Sequence, residues 1–137
     1  MSSEEFNNWA EIADTFGKAT SQIIRKTAFA IQAGYQERVP HDTGFAANSA
    51  YVLTSRDNTY GQAKPSKPDA YLLPSVDAPD DDQTAYIGVG ANYALFLELG
   101  TVHMPAQPAF IPAVDAARPG FEDALSAIEK KLQGVRN

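Results

Sequence analysis

The chain contains no cysteine, which excludes disulfides, thiolate nucleophiles, iron–sulfur clusters and thiolate zinc sites. Basic residues are also few: 11 lysines and arginines stand against 17 acidic residues, which leaves a net charge of −6. This balance disfavours a protein that binds nucleic-acid phosphates. It is compatible with the lining of a channel that DNA passes without binding, because like charges repel. No run is long and apolar enough to span a membrane. The acidic first residues lack the regions of a secretory signal, so we expect folding in a reducing, intracellular place.

The 137 residues and a hydrophobic fraction of 44% predict one folded domain with a core. Apolar residues recur every three or four positions over Ser3–Arg38, which predicts a long helix that ends before Pro40. Residues 50–54 and 84–90 have the composition or the alternation of strands. Residues 93–99 predict a short helix that ends at Gly100, and a helical period runs from Phe110 to the C-terminus.

Pro119 and Gly120 lie in the middle of that last period, so we expect them to kink the helix or to split it into two pieces. Together the elements predict an α+β domain over residues 1–137. It consists of a long N-terminal helix, a small antiparallel sheet of three to four strands, a short helix, and a kinked C-terminal helix packed on one face of the sheet.

Residues 56–83 form a proline-rich, acidic connection that is far longer than usual within a compact domain. They are either a disordered loop or an extended arm whose apolar patch at residues 71–73 packs on a neighbouring subunit. The acidic run at residues 80–82 could bind a hard cation, which takes oxygen ligands, but a solvated loop is the better interpretation.

Asp42, Thr43 and Gly44 match an aspartic-protease motif, but that chemistry needs two carboxylates that share a proton. A turn between a helix and a strand, with Gly44 at positive φ, is the favoured interpretation. The two histidines, His41 and His103, are far apart and lack the spacing of zinc ligands. No nucleophile has a base at recognisable spacing, and no phosphate-binding glycine motif is present. The sequence therefore predicts no catalytic, cofactor-binding or metal-binding residue and no enzyme.

Glu98 is a single acidic residue inside the apolar segment 93–99. It is either a solvent-facing residue on a half-exposed turn, a partner for the loop at residues 101–103, or a partner for a basic residue on another subunit. A buried carboxylate without donors would be costly, so we expect Glu98 to find donors and to fix that loop.

Two blocks of sequence resemble one family. The first is VPHDTG at residues 39–44, with Asn48-Ser49 shortly after; the second is IGVG at 87–90, NYA at 92–94, ELGT at 98–101, MPAQP at 104–108 and PA at 112–113. In this order and spacing they resemble the neck and tail-completion proteins of tailed bacteriophages, which are small virion proteins that form rings at the head–tail junction. The resemblance covers Val39 to about Ala117.

The chain departs from that family in three places. Phe45, Ala46 and Ala47 stand where the family tends to have basic residues after the turn. Residues 109–111 read Ala-Phe-Ile where the family tends to read Phe-Leu-Arg, so a salt bridge from that arginine is not inherited. The arm at residues 56–83 is also longer and more acidic than usual.

The resemblance implies a head–tail joining protein of the virion, assembled in the host cytoplasm as a ring, expected to be a hexamer. Its expected partners are other copies of itself, the portal-side head-completion connector and the tail terminator or tail tube. Genomic DNA would pass through the lumen without specific binding. The alternative is a small monomeric or dimeric protein-binding module unrelated to virions. The residues expected to contact subunits or partners are Glu98, Gly100, Thr101, Met104, Pro105, Gln107, Pro108, Tyr71 and Leu72.

Overall fold

The computed structural model describes residues 3–41 and 44–136, and for residues 3–9, 135 and 136 it describes the backbone alone. Asp42 and Thr43, and with them most of the expected turn, lie outside the described residues. The described elements are mixed helix and strand, as the sequence predicts. In chain order they are α1 (Ser3–Arg38), α2 (Phe45–Asn48), β1 (Ala50–Leu53), β2 (Tyr86–Val89), α3 (Ala94–Leu99) and α4 (Phe110–Arg136).

The long N-terminal helix α1 has the bounds that its sequence period predicts. Its last turn is completed by the Val39 N–H, which donates to the Tyr35 carbonyl at 3.0 Å. Pro40 follows, lacks an N–H and restricts the residue before it, so the helix cannot continue. The buried side of α1 carries Ala28, Ile31 and Tyr35.

The C-terminal helix α4 packs against α1 rather than on the sheet, so the predicted placement on a sheet face is wrong. The two helices run antiparallel. The Tyr35 and Phe110 rings meet edge to face at 6.1 Å, and a Cβ on Gly34 would stand 3.3 Å from that of Ala113. It is α1 that contacts both strands. The amphipathic pattern of α4 correctly indicates one buried side, but it does not say what covers that side.

Helix α4 remains one helix across Pro119, so the alternative of two separate pieces is wrong. Proline removes one backbone hydrogen bond, but Pro119 is exposed, and water can solvate the carbonyl oxygen that loses its donor.

The sheet has two described strands, not three to four. β1 and β2 pair antiparallel, with Ala50 opposite Val89 and Leu53 opposite Tyr86. Leu72 adds one isolated bridge to Ala91. A third strand does not develop there because prolines at positions 68 and 74 flank this segment and cannot donate to a ladder.

The arm at residues 56–83 folds back on its own chain at several points. The Leu73 N–H donates to the Gly90 carbonyl at 2.7 Å, and the Tyr60 hydroxyl donates to the Leu73 carbonyl at 2.7 Å. Near its end, the Gln83 side chain accepts from the Thr20 hydroxyl at 2.6 Å and donates to the Gly17 carbonyl at 2.9 Å. The arm is therefore fixed to α1 and to the segment after β2.

The start of the arm is fixed by an ion pair. The Arg25 guanidinium donates twice to the Asp57 carboxylate, at 2.6 and 2.8 Å. The Thr54 hydroxyl donates to the same carboxylate at 2.6 Å. These bonds hold the pKa of Asp57 below its usual range, with the Arg25 contact as the main cause.

The core lies where α1, α2 and the first turn of α4 meet the sheet. The buried hydrophobic residues of this core are Ile31, Tyr35, Val39, Phe45, Ala46, Ala47, Ala50, Ala63, Ala91, Ala109 and Ala113.

No helix in the described part of the chain has both the length and the low polarity needed to cross a bilayer.

Candidate interaction surface

The short helix α3 has an inner side and an outer side. Ala94 and Leu97 pack against the core cluster. Leu95, Phe96 and Leu99 point the other way and are 63%, 54% and 65% exposed. Helical geometry explains the division, because positions 94, 97 and 98 share one side of a helix and positions 95, 96 and 99 share the opposite side.

A tight turn next to α3 extends this apolar region. The Thr101 N–H donates to the Met104 carbonyl at 2.8 Å, and the Met104 N–H returns a bond to the Thr101 carbonyl at 3.3 Å. Val102 lies at the tip and is 95% exposed. We name Leu95, Phe96, Leu99 and Val102 the α3 surface. It consists of large apolar side chains that this chain leaves in water.

Gly100 connects α3 to this turn in a conformation that other residues rarely adopt. Its φ is +78°, and a Cβ at this position would lie 2.7 Å from the backbone nitrogen of Ala106. The loop after it folds back on α3, where the Gln107 N–H donates to the Leu97 carbonyl at 2.7 Å. The α3 surface is thus held on a defined backbone.

Glu98, on the inner side of α3, caps the first turn of α4. Its Oε1 accepts from the N–H groups of Ala109 and Phe110 at 2.9 and 2.8 Å, and its Oε2 accepts from that of Ile111 at 3.0 Å. The first N–H groups of a helix have no partner within the helix, and a carboxylate there is favoured by the helix dipole. The expectation that Glu98 finds donors is correct, but the donors are residues 109–111 rather than the loop at 101–103.

The surroundings of Glu98 determine which form of its carboxyl is favoured. Burial acts to raise the pKa of Glu98, but the three backbone hydrogen bonds outweigh it and lower the pKa below its usual value. The pKa of the nearby Tyr35 hydroxyl is raised, first by burial and then by the negative charge of Glu98. The carboxylate therefore stays ionised in a partly buried place.

The two sequence blocks that carry the resemblance meet around Ser49. The Ser49 carbonyl accepts from the Gly90 N–H at 2.9 Å, and its buried hydroxyl accepts from the Ala91 N–H at 3.0 Å. That hydroxyl also donates to the Ala46 carbonyl at 2.8 Å. Gly44, the described part of the expected turn, has φ +75°, as predicted.

The residues that depart from the family pattern after the turn are part of the core. Phe45 and Ala46 are each 2% exposed, and Ala47 is 4% exposed. Basic side chains in these places would have to leave water without partners, which is strongly unfavourable. In this chain the segment packs α2 against α1 in the core.

The other residues predicted from the sequence are spread over several places. Leu72 packs on the core of its own chain, whereas Tyr71 is 57% exposed. His41 bonds to the Gln36 carbonyl at 2.5 Å, and His103 lies exposed in the turn. No group of three or more histidines and carboxylates that could hold a metal ion is found in residues 3–41 and 44–136. In the loop that joins the turn to α4, Pro105, Gln107 and Pro108 are exposed and Met104 is half-buried.

The sequence-based contact prediction missed all four residues of the α3 surface. It named Glu98, six residues in the segment 100–108 that do not include Val102, and Tyr71 and Leu72. The segment ALFLEL contained a signal that could have found three of them. If the Glu98 side of this helix faces inward, Leu95, Phe96 and Leu99 lie on the opposite, outer side. Comparisons of the chain with protein-family models, curated proteins and solved structures found no match in any of the three.

Proposed function

We propose that this chain is a non-enzymatic structural protein of a tailed phage or prophage. In this proposal it forms a ring, expected to be a hexamer, at the head–tail interface of the virion. The ring joins the portal-side connector to the tail and leaves a channel for DNA. The observation that carries the proposal is the α3 surface, which is apolar and exposed and is tied to α4 by hydrogen bonds of Glu98.

The chemistry of the α3 surface favours a protein contact. Single exposed apolar residues are normal, whereas a contiguous group of large ones marks an interaction site. Full burial of one such side chain stabilises an interface by roughly 1.5–3 kcal/mol. The one charge on α3, Glu98, is directed inward to the α4 backbone, so it adds no desolvation penalty at the outer side.

The total surface of the chain supports assembly. Its accessible area is 9079 Å² for a mass of 14.8 kDa. A monomeric protein of this mass exposes about 7000 Å². A subunit in a closed ring has two contact faces, and a standard interface covers about 800 Å² on each partner. The chain therefore exposes roughly 2000 Å² more surface than a compact monomer, as a long helix pair does, and two ring contacts of standard size have room on it.

The loop after Gly100 and the exposed part of the arm provide surfaces for neighbouring subunits and rings. Acidic side chains that face the lumen would let DNA slide through without binding, in keeping with the net charge of −6. DNA binding of high affinity at physiological salt, or a basic lumen in the assembled ring, would contradict this part of the proposal.

Two measurements test the proposal. The mass of the purified chain, alone and with connector or tail proteins, separates a ring from the alternative of a monomeric or dimeric binding module. Electron micrographs of particles that lack this protein should show full heads beside separate, finished tails. Intact joined particles would contradict a role at the head–tail joint.

A further inference from the structure

The small sheet has one edge that the described chain leaves open. β1 is flanked on both sides, by β2 on one side and by Thr59 on the other. The Val52 N–H donates to the Thr59 hydroxyl at 2.8 Å, and the Val52 carbonyl accepts from the Thr59 N–H at 3.1 Å. Among the described strands, β2 pairs with β1 alone. The other side of β2 is therefore an edge of the sheet.

Ile87 and Val89 carry the open backbone groups of this edge. The Gly90 N–H donates to the Ser49 carbonyl, and hydrogen-bonded positions alternate along an antiparallel pair, so Gly88 faces β1. Residues 87 and 89 consequently face away from β1. Their N–H and carbonyl groups make no hydrogen bond to any described residue. Each of the two positions thus offers a donor and an acceptor to a further strand.

A groove runs beside this edge. The arm follows the segment after β2 only as far as Leu73, whose N–H binds the Gly90 carbonyl, and Pro74 has no N–H with which to continue the pairing. The arm then separates from β2, and the space between them has a cavity volume of about 600 Å³. We name this space the β2-edge groove. It is lined by Val76 and Asp77 of the arm and by Tyr86, Ile87 and Gly88 of β2.

The β2-edge groove lies away from the undescribed side chains. The Gln83 side chain, just before β2, binds α1 at Gly17, about 12 Å along the helix from the nearest undescribed side chain. At the other end of the strands, the Gln32 side chain of α1 donates to β1, about 9 Å before the helix ends. The undescribed end of α4 follows Leu132, which lies beside Ile12. The edge is therefore open in the described structure.

The charges around this edge have one sign. Asp77 lies in the groove, and the acidic run at residues 80–82 precedes β2. None of these aspartates forms an ion pair within the described chain. No lysine or arginine occurs between Lys67 and Arg118. Pairing of two β2 edges would bring two such acidic groups together, and charges beside an open edge oppose this pairing. A basic strand would meet the opposite charge.

We propose that the free edge of β2 binds an extended, basic segment of a partner protein, which adds a third strand to the sheet. The open backbone groups select an extended chain, because only such a chain presents its own donors and acceptors at the spacing of a strand. Alternate side chains of that segment would contact Val76 and Tyr86, which are 58% and 43% exposed. Lysine or arginine beside them would reach Asp77. This inference concerns a different surface from α3 and does not depend on the proposed ring.

A peptide-binding experiment with the full chain tests the added strand. The probe is a peptide of about ten residues that alternates lysine with valine, and the matched control has glutamate in place of each lysine. We expect the lysine peptide to bind at least about tenfold more tightly. It should also slow amide hydrogen exchange at Ile87 and Val89, whose N–H groups would enter hydrogen bonds. The amides of Tyr86 and Gly88 already face β1 and should change little.

A charge reversal tests the preference for a basic segment. Asp77→Lys places a positive charge in the β2-edge groove and should raise the dissociation constant of the lysine peptide about tenfold. Asp123→Lys makes the same change of net charge on the exposed side of α4 and is the matched control. It should bind the peptide like the wild type, because the two sites are far apart and salt screens the interaction.

A tethered peptide gives an independent measurement if the free peptide binds weakly. Ala78→Cys places a single thiol beside the β2-edge groove, because the chain has no cysteine of its own. A peptide that ends in cysteine can be joined there by a disulfide, which raises its local concentration to the millimolar range. The tethered lysine–valine peptide should slow exchange at Ile87 and Val89. A tethered peptide with proline in place of each valine should not, because proline cannot donate to a ladder.

The other outcomes overturn the inference. Binding without slower exchange at Ile87 and Val89 would show adsorption to the acidic arm instead of an added strand. Unchanged exchange with the tethered lysine–valine peptide would exclude the added strand as well. Slower exchange that appears in the chain alone as its concentration rises would indicate pairing between two copies and would overturn the basic partner. A chain that forms no ring contradicts the proposed function but leaves this inference standing.

Discussion

The carboxylate of Glu98 accepts a 2.8 Å hydrogen bond from the backbone N–H of Phe110. This bond joins the inner side of α3 to the first turn of α4, and Phe110 in turn packs its ring against Tyr35 of α1. Glu98 points away from the α3 surface, but through this bond it ties that surface to the pair of helices α1 and α4. Loss of the bond should therefore affect both folding and assembly.

Replacing Glu98 should lower the free energy of unfolding. Glu98→Ala removes all three acceptor bonds to the start of α4, and loss of a helix cap typically costs about 1–2 kcal/mol. Glu98→Gln keeps one neutral acceptor oxygen and should lose less. Urea unfolding measures the effect, with Glu122→Gln on the exposed part of α4 as the control. We also expect reduced ring assembly, and unchanged stability and assembly in both Glu98 variants would contradict the capping role.

Stability should fall in acid through the carboxylates whose pKa is lowered in the folded protein. Glu98 and Asp57 have ordinary pKa values of 4.5 and 3.8, and both values are lower in the fold. Their stabilising effect is therefore complete above the ordinary values and is lost as the pH falls through the folded ones. Urea unfolding between about pH 6 and pH 2.5 should give a shallower decline for Glu98→Gln than for the wild type. Parallel curves for the two proteins would show that Glu98 does not contribute.

Gly100→Ala should destabilise the protein and distort the α3 surface. The added methyl group would occupy a backbone with φ +78° and meet the Ala106 nitrogen at 2.7 Å. Such strain typically costs about 1–3 kcal/mol. Gly120→Ala is the matched control, because a Cβ there has no neighbour within 4 Å and alanine favours a helix by up to about 1 kcal/mol. Thermal unfolding should shift downward for the first and stay level or rise for the second.

Breaking the ion pair between Arg25 and Asp57 should loosen the start of the arm. Asp57→Asn removes the charge that both guanidinium bonds use, and it also weakens the bond from Thr54. We expect faster amide exchange in residues 54–59 and a lower urea midpoint than in the wild type. The difference between the two midpoints should become smaller in high salt, because salt screens the ion pair. Asp14→Asn is the control, since its pair with Lys18 is 66–71% exposed and should have little effect. Equal exchange rates in both variants would contradict the anchoring role.

The sequence predicts those elements whose signals are local. The helix Ser3–Arg38 has a continuous apolar period and a terminating Pro40, and its C-terminal end is where the sequence predicts it. The strands and α3 lie within the predicted segments, although each is one to three residues shorter. The four-residue helix α2 was missed, because Phe45–Asn48 is too short to show a helical period.

Interactions between distant segments could not be predicted in the same way. The pattern of α4 indicates an apolar side but does not reveal that α1, rather than the sheet, covers it. The partners of Glu98 lie 11 to 13 residues further along the chain, and they are backbone N–H groups that no side-chain motif marks. The arm at residues 56–83 has the composition of a loop, yet side chains such as Gln83 hold it on α1.

The central claim is that the α3 surface mediates assembly into a ring. Native mass measurement of the wild type beside Leu99→Asp, each alone and with connector and tail proteins, tests it most directly. We predict a closed ring, expected to be a hexamer, for the wild type and monomers for a folded Leu99→Asp variant. A wild type that remains monomeric or dimeric under all conditions, or a Leu99→Asp variant that assembles equally well, would contradict the claim.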